Sequence, residues 1–292
     1  MKGITLLTPA KINLSIDVLG RLPNGYHSVE MVMQSINLCD IVSIEKRHSG
    51  ISIHCEKEFV PNDRRNIAYK AAEAFFAHYP KMGGVHISIK KHIPVSAGLG
   101  GGSTDAAGVL KGLNQLYGNL LTQTQLLKIA KTIGADVAFC LNGGTQLARG
   151  IGDELARLPD FENIDIVLVK PSFPISTAYV YRNLNLSRVK ERPDTSALIN
   201  AITEMDLAGV AENMVNVLET VSVYKYPELK TIMNRFKEYG ALQARMSGSG
   251  PTVFGLYENK RQAYKAAHRI KLETNTRDVF VTTIYNTHKG LR

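Results

Sequence analysis

The segment Pro94-Val95-Ser96-Ala97-Gly98-Leu99-Gly100-Gly101-Gly102-Ser103-Thr104-Asp105 places four glycines within five positions. Glycine lets the backbone approach a ligand closely and adopt left-handed conformations. Successive N–H groups can then converge on one concavity. A helix starting at the Ser/Thr/Asp cluster adds unpaired donors and a positive dipole end. The chemistry that follows is the binding of phosphate oxygens. The Ser103 or Thr104 hydroxyl is placed to touch a phosphate or a bound Mg²⁺. The plainer reading is a flexible strand-to-helix loop with Ser103 as its N-cap. The apolar strand before the run and the helix after it favour phosphate. No Gly-Lys-Ser/Thr follows, so this is not a Walker A loop. No early first strand or acidic ribose ligand supports a dinucleotide fold.

Three further features carry chemical potential. Met246-Ser247-Gly248-Ser249-Gly250-Pro251-Thr252 is a second glycine-rich turn. Alone it reads as a hairpin turn; beside a phosphate loop it is a candidate second wall. Lys11 lies in an apolar stretch just after Pro9-Ala10, where a solvated polar-face lysine is the ordinary case. Asp136, within Gly134-Ala135-Asp136-Val137, reads as a turn or N-cap aspartate. Spacing alone does not pair Lys11 with Asp136.

These residues need elements to hold them. Ile4–Leu19 alternates apolar with polar residues and predicts a half-buried strand, followed by a turn at Asn24-Gly25. Extended segments are expected around Val29–Leu38 and Ile41–Lys46. Asn66 is placed to cap a helix with Ala68, Ala71, Ala72, Phe75, Phe76 and Tyr79 on its apolar face. Val85, Ile87 and Ile89 predict a strand leading to Pro94. Helices are expected after the glycine run and from Thr122, with Gln125 completing a capping box, to Gly134. Beyond that lie a strand over Ile164–Val169 and helices near Leu207–Leu218, Pro227–Tyr239 and Lys260–Lys271. Strands near Leu242–Met246, Thr252–Tyr257 and Val279–Tyr285 complete the pattern. Strands and helices do not alternate regularly, so the fold class is α+β. A domain boundary is set at residue 160, ahead of the apolar strand.

The 292 residues suffice for one large domain or two modest ones. The net charge of +9 suits an anionic partner, although scattered basic residues also describe a solvated surface. Cys39, Cys55 and Cys140 are odd in number and widely spaced. That argues against a disulfide framework or zinc site and fits a reducing cytoplasm. His54 and Cys55 in a strand would point to opposite faces. No secretory leader or membrane-spanning run is evident.

Taken together, Pro9-Ala10-Lys11-Ile12-Asn13-Leu14, Pro94–Ala107 and Met246–Gly255 resemble, in order and spacing, the superfamily of galactokinase, homoserine kinase, mevalonate kinase and phosphomevalonate kinase. Asn24-Gly25-Tyr26-His27, the triple glycine at Gly100–Gly102 and Gly134-Ala135-Asp136-Val137 narrow the likeness. They point to the branch whose substrate is a methylerythritol bearing a cytidine diphosphate group. The resemblance implies an ATP-dependent small-molecule kinase with two α+β domains, 1–160 and 161–292, and an active site in the cleft between them. It implies that Lys11 and Asp136 are the catalytic pair, and that Pro94 through Thr104 hold the ATP phosphates. Asn66 and Lys91 are expected near the adenine, and Asn13 near the reacting hydroxyl. Tyr26, His27 and Tyr181 are expected at the cytosine, with Tyr179 a competing stacking partner. ATP and Mg²⁺ are the implied cofactors. No acidic residue is placed as an obvious metal ligand, so the metal ligands stay unassigned. Neither nucleic acid nor membrane is an expected partner, and oligomeric state is left open.

Two other classes compete. A basic α+β RNA-binding module would interleave aromatics with basic residues on one face, whereas this chain concentrates glycines in loops. A nucleotide-binding relative without catalysis would not need both Lys11 and Asp136.

Overall fold

A computed structural model describes residues 3–80, 83–161, 164–274 and 276–286. The chain divides into two compact units built from discontinuous segments. One takes in the chain up to Ala10, then Leu38–Val95 and Gly100–Asn142. The other takes in Lys11–Asn37, Ser96–Leu99 and the chain from Gly143 onward.

In the first unit, the later half of β2 (His27–Arg47) pairs antiparallel with β4 (Gly84–Lys90), and β3 (Ile51–Cys55) joins β4 in parallel. Val42, Ile44, Ile87 and Ile89 are buried on one face. The helices are α1 (Ile67–His78), α2 (Gly101–Leu116), α3 (Gln123–Ile133) and α4 (Ala135–Asn142). Asn66 caps α1, and Thr122 with Gln125 forms the expected capping box at α3. In β3, His54 is exposed and Cys55 buried, as strand alternation requires.

In the second unit, Met31–Gln34 pairs with β5 (Thr145–Arg149), which pairs with β6 (Glu154–Arg157). A four-stranded antiparallel sheet has the order β10-β7-β9-β8, from β7 (Asp165–Lys170), β8 (Gln243–Met246), β9 (Val253–Tyr257) and β10 (Asp278–Thr283). Both faces are buried: Val167, Val169 and Gly255 share the face against Phe236, while Ile166, Leu168, Phe254 and Leu256 share the other. Those helices are α5 (Thr177–Asn183), α6 (Thr195–Thr203), α7 (Leu207–Glu212), α8 (Glu219–Lys225), α9 (Glu228–Glu238) and α10 (Lys260–Thr274). β1 (Gly3–Arg21) pairs with β2.

Four local expectations change. The two extended segments over Val29–Lys46 are one 21-residue strand. Asp136 lies in the first turn of a helix, not in a turn. α2 begins at Gly101, with Gly100 as its N-cap and no capping side chain, so Ser103 is not the cap. The helix expected over Leu207–Leu218 stops at Glu212. Residues 215–217 leave helical geometry to bond with β1: Ile16 N donates to Val215 O at 2.9 Å and Val217 N to Ile16 O at 3.0 Å.

Candidate active site

β1 is the first positioning element. Ile12, Leu14, Ile16 and Val18 are buried, as the alternation predicts. The opposite face was expected in water, yet Lys11 is 5%, Asn13 1% and Ser15 0% exposed. Buried polar groups are costly unless bonded. Here Lys11 Nζ donates to Asn13 Oδ1 at 2.8 Å, and Val32 N donates to Ser15 Oγ at 3.3 Å. Asn13 Nδ2 lies 3.6 Å from Met31 Sδ. Lys11 and Asn13 are thus held to one another inside a core strand.

The first part of the glycine run is tied to that strand. Lys11 N donates to Leu99 O at 3.0 Å. Gly98 has φ +76°, and a Cβ there would lie 2.2 Å from Ser247 O, so the position requires glycine. Ser247 Oγ donates to Gly98 O at 2.9 Å, and Thr252 N donates to Ala97 O at 3.4 Å. The two glycine-rich segments therefore touch. A Cβ on Gly248 would lie 3.6 Å from both Asn13 Oδ1 and Lys11 Nζ. Lys11, Asn13, Gly98, Ser247 and Gly248 form one constellation.

The rest of the run opens α2. Gly100 is left-handed at φ +69°, and Thr104 N donates to Gly100 O at 2.9 Å. No side chain caps the first turn, so its backbone donors and dipole stay available to an anion. Ser103 is half-buried and Thr104 buried.

Beneath this turn lies a buried ion cluster that sequence reasoning missed. Lys91 Nζ is bonded to Asp40 Oδ2 and lies 2.7 Å from Asp105 Oδ2. Asp40 Oδ1 also accepts from His92 N at 2.6 Å and Ile93 N at 2.8 Å. Thr8 Oγ1 donates to Asp105 Oδ1 at 3.3 Å. Burial pushes the Asp105 carboxyl up, against the pull of Lys91. Burial lowers the Lys91 ammonium, but the two carboxylates outweigh it and leave its pKa raised. Lys91, expected near adenine, thus has its ammonium held by two aspartates. Asn66 has its amide held by Pro61 O and Ala68 N, at 2.9 and 3.0 Å.

Asp136 is half-buried in the first turn of α4, immediately after the Gly134 that ends α3. A negative side chain is favourable at that dipole end. It belongs to the first compact unit, whereas Lys11 belongs to the second.

A separate cavity of about 690 Å³ brings together three of the expected substrate residues, Tyr26, His27 and Tyr181. The His27 and Tyr181 rings lie 5.2 Å apart. Tyr181 lines this cavity, while Tyr179 packs under the Lys225 ammonium at 3.6 Å. Arg21, Thr177 and Arg182 also line it and were not anticipated. Partial burial and the charge of Arg21 lower the His27 pKa, so the ring is neutral near pH 7. A neutral imidazole offers one donor and one acceptor to a base edge. Among the described residues, no three His, Cys, Asp or Glu side chains converge to hold a metal ion. Among the same residues, no helix is long and apolar enough to cross a membrane.

The chain matches known proteins over most of its length. The GHMP kinases N terminal domain profile matches residues 66–144, and the GHMP kinases C terminal profile matches 198–274. A 4-diphosphocytidyl-2-C-methyl-D-erythritol kinase of Acetivibrio thermocellus is 51% identical over 271 residues, 93% of this chain and 96% of its own length. A protein of the same name from Syntrophomonas wolfei is 48% identical, over 97% of this chain and 99% of its own. The crystal structure of a 4-(cytidine 5'-diphospho)-2C-methyl-D-erythritol kinase superposes with a TM-score of 0.82 at 32% identity, covering 97% of this chain and 100% of that one. A homoserine kinase from Cytophaga hutchinsonii, at 22% identity and TM-score 0.78, shares the fold.

Proposed function

The chain belongs to the GHMP kinases, a family that uses ATP, and from that premise we propose that it phosphorylates the 2-hydroxyl of 4-diphosphocytidyl-2-C-methyl-D-erythritol in the non-mevalonate route to isoprenoid precursors. The observation that carries the substrate is the cavity lined by Tyr26, His27 and Tyr181 in a chain about half identical to kinases of that name. Aromatic rings suit the face of cytosine, and the neutral His27 suits its polar edge. Arg21 and Arg182 at the same cavity favour an anionic arm.

In this proposal Asp136 accepts the proton of the 2-hydroxyl as its oxygen bonds to the γ-phosphorus, and the bond to ADP breaks. Lys11 favours the ionised form of Asp136 and steadies the developing alkoxide. Asn13, bonded to Lys11, orients the hydroxyl. Residues 94–104 hold the phosphates, supported by the uncapped start of α2 and by the touching 246–252 turn. Asn66 and Lys91 flank the adenine as supports of the surrounding backbone, since their polar ends are engaged within the protein. Mg²⁺ would be held through phosphate oxygens and water, with the half-buried Ser103 hydroxyl in the first turn of α2 as the protein group on offer. When bound it would neutralise phosphate charge. The rest of the catalysis is positioning. The division into an ATP-binding part over 1–160 and a second part over 161–292 belongs to the same proposal; the two family profiles fall on either side of it. The three free cysteines suit a cytoplasmic setting.

The test is ADP release with the cytidyl substrate, methylerythritol phosphate, homoserine and mevalonate as acceptors. The cytidyl compound should be preferred by several powers of ten in kcat/KM, because binding energy from the remote base is used at the reacting centre. His27→Ala should weaken that preference and leave ATP binding unchanged. Comparable turnover of homoserine or mevalonate would overturn the substrate assignment.

A further inference from the structure

The turn at Met246–Gly248 is held from two sides by residues that no part of the reaction described above uses. Asn216 is 4% exposed. Its Nδ2 donates to Met246 O at 2.7 Å and to Gly248 O at 2.9 Å, and its Oδ1 accepts from Leu218 N at 3.0 Å. Three residues on, Glu219 Oε1 accepts from Met246 N at 2.7 Å. The peptide groups at both ends of Met246 are thus bonded to this one short segment.

The same segment is splinted to β1. Val215 O and Val217 N bond to Ile16, and Asn216 sits between them. β1 also carries Lys11 and Asn13, and Gly248 is the residue of the turn that lies against both. The chain of contacts runs from Ile16 through Asn216 to Gly248 and back to Lys11 and Asn13. Breaking it at Asn216 frees the turn to shift relative to the lysine.

We infer that Asn216 and Glu219 are positioning residues for phosphoryl transfer, holding the 246–248 turn in register with Lys11 and Asn13. This rests on the kinase reading. Asn216 fits the task for a chemical reason: both amide hydrogens go to carbonyl oxygens while its own oxygen accepts. An aspartate of the same shape would turn a carboxylate toward two carbonyls. Glu219 needs only an acceptor at Oε1, which glutamine also supplies.

The experiment is steady-state kinetics on the cytidyl substrate for Asn216→Asp, Asn216→Ala, Glu219→Gln and Glu219→Leu, with nucleotide binding and melting temperature measured on each. Asn216→Asp and Asn216→Ala should lower kcat by roughly 30- to 100-fold, the scale of misplacement by about an ångström. KM for both substrates should move by less than about threefold, the signature of an interaction that matters in the transition state. Glu219→Leu should lose about tenfold in kcat, and Glu219→Gln should restore most of it, because the acceptor survives. The alanine variant answers the question if the aspartate variant fails to fold. Folded Asn216 variants with kcat within about threefold of wild type, or a loss confined to KM, overturn the inference. Equal losses in both Glu219 variants overturn the role of its acceptor. A wild-type protein that does not turn over the cytidyl substrate overturns the kinase reading itself, and the inference with it.

Discussion

The two glycine-rich segments look alike in sequence and are built for opposite ends. Gly100–Gly102 begins α2 with no capping side chain, which leaves backbone donors at the helix start for a ligand. Ser247–Gly250 is a turn between strands whose carbonyls, from Met246 to Ser249, are taken up by the protein. Asn216 takes Met246 O and Gly248 O, Ser222 Oγ donates to Ser249 O at 3.2 Å, and Ser247 N donates to Thr252 O at 2.9 Å. Glycine density alone does not distinguish a cradle from a brace; the fate of the N–H and C=O groups does.

The largest effect expected is one that touches neither segment. If the run 98–102 binds and the turn braces, chemistry is lost at Asp136 with binding intact. Asp136→Asn keeps the shape and removes the proton acceptor, and kcat should fall by roughly 10²- to 10⁴-fold. ATP affinity, measured by titration calorimetry, should stay the same. A parallel loss of ATP affinity would make Asp136 part of the cradle.

A direct comparison substitutes one glycine from each segment. Gly102 is exposed in the first turn of α2, and an added Cβ would meet only the end of Ile67, at 3.3 Å. Gly102→Ala should raise stability, by up to about 1 kcal/mol, because alanine is the better helix former. ATP affinity should nevertheless fall by roughly tenfold if phosphate oxygens approach that backbone. Gly248 has φ +60°, and Gly248→Ala should cost about 1–2 kcal/mol of stability in denaturant melts. The opposite signs of the two stability changes are the check. If both variants destabilise and neither weakens ATP binding, the distinction between cradle and brace fails.

The brace should also carry a pH signature. Burial raises the Glu219 pKa to about 7 from 4.5, with Arg245 opposing. A group whose folded pKa is raised favours the fold when protonated. That contribution is full below about pH 4.5 and is lost as pH rises through about 7. Glu219→Gln removes it, so wild type should lose stability relative to the variant between pH 5 and pH 8. The expected change is on the order of 1–3 kcal/mol, read from urea melts at the two pH values. A constant difference would mean that Glu219 does not titrate in this window.

Much of this arrangement was legible beforehand, for local reasons. Asn66, Thr122 with Gln125, and the alternating runs at 12–18 and 85–89 declare themselves through neighbours a few residues away. The order of strand, glycine run and helix was legible because the three follow one another in the chain. What was not legible depends on distant partners. The polar face of β1 was expected in water because nothing near Lys11 and Asn13 in sequence announces their burial. Lys91 sits between Asp40 and Asp105, 51 and 14 residues away. The break in the expected helix over Leu207–Leu218 comes from Ile16, about 200 residues earlier, a bond no local propensity encodes. The one signal that existed was the polar pair Asn216 and Glu219 inside Met214-Val215-Asn216-Val217-Leu218-Glu219, where apolar neighbours make a buried asparagine stand out.

The smallest effect concerns Ser103, and it decides what the start of α2 is for. Had Ser103 been the N-cap, Ser103→Ala would cost about 1 kcal/mol of stability. The helix instead begins at Gly101, with Gly100 as its N-cap and no side-chain cap. Ser103 therefore sits inside the first turn, where alanine is the better helix former by a few tenths of a kcal/mol. Its replacement should leave the melting temperature unchanged within error or raise it slightly. If the first turn of α2 holds phosphate, as proposed, the half-buried Ser103 hydroxyl is the candidate to reach it, since the Thr104 side chain is buried. A hydrogen bond to a charged phosphate is worth about 1.5 kcal/mol at the low end of its range, so KM for ATP should rise about tenfold. Stability and affinity then move independently. A drop in melting temperature with unchanged KM would return Ser103 to a structural role and make the first turn of α2 a brace like its neighbour.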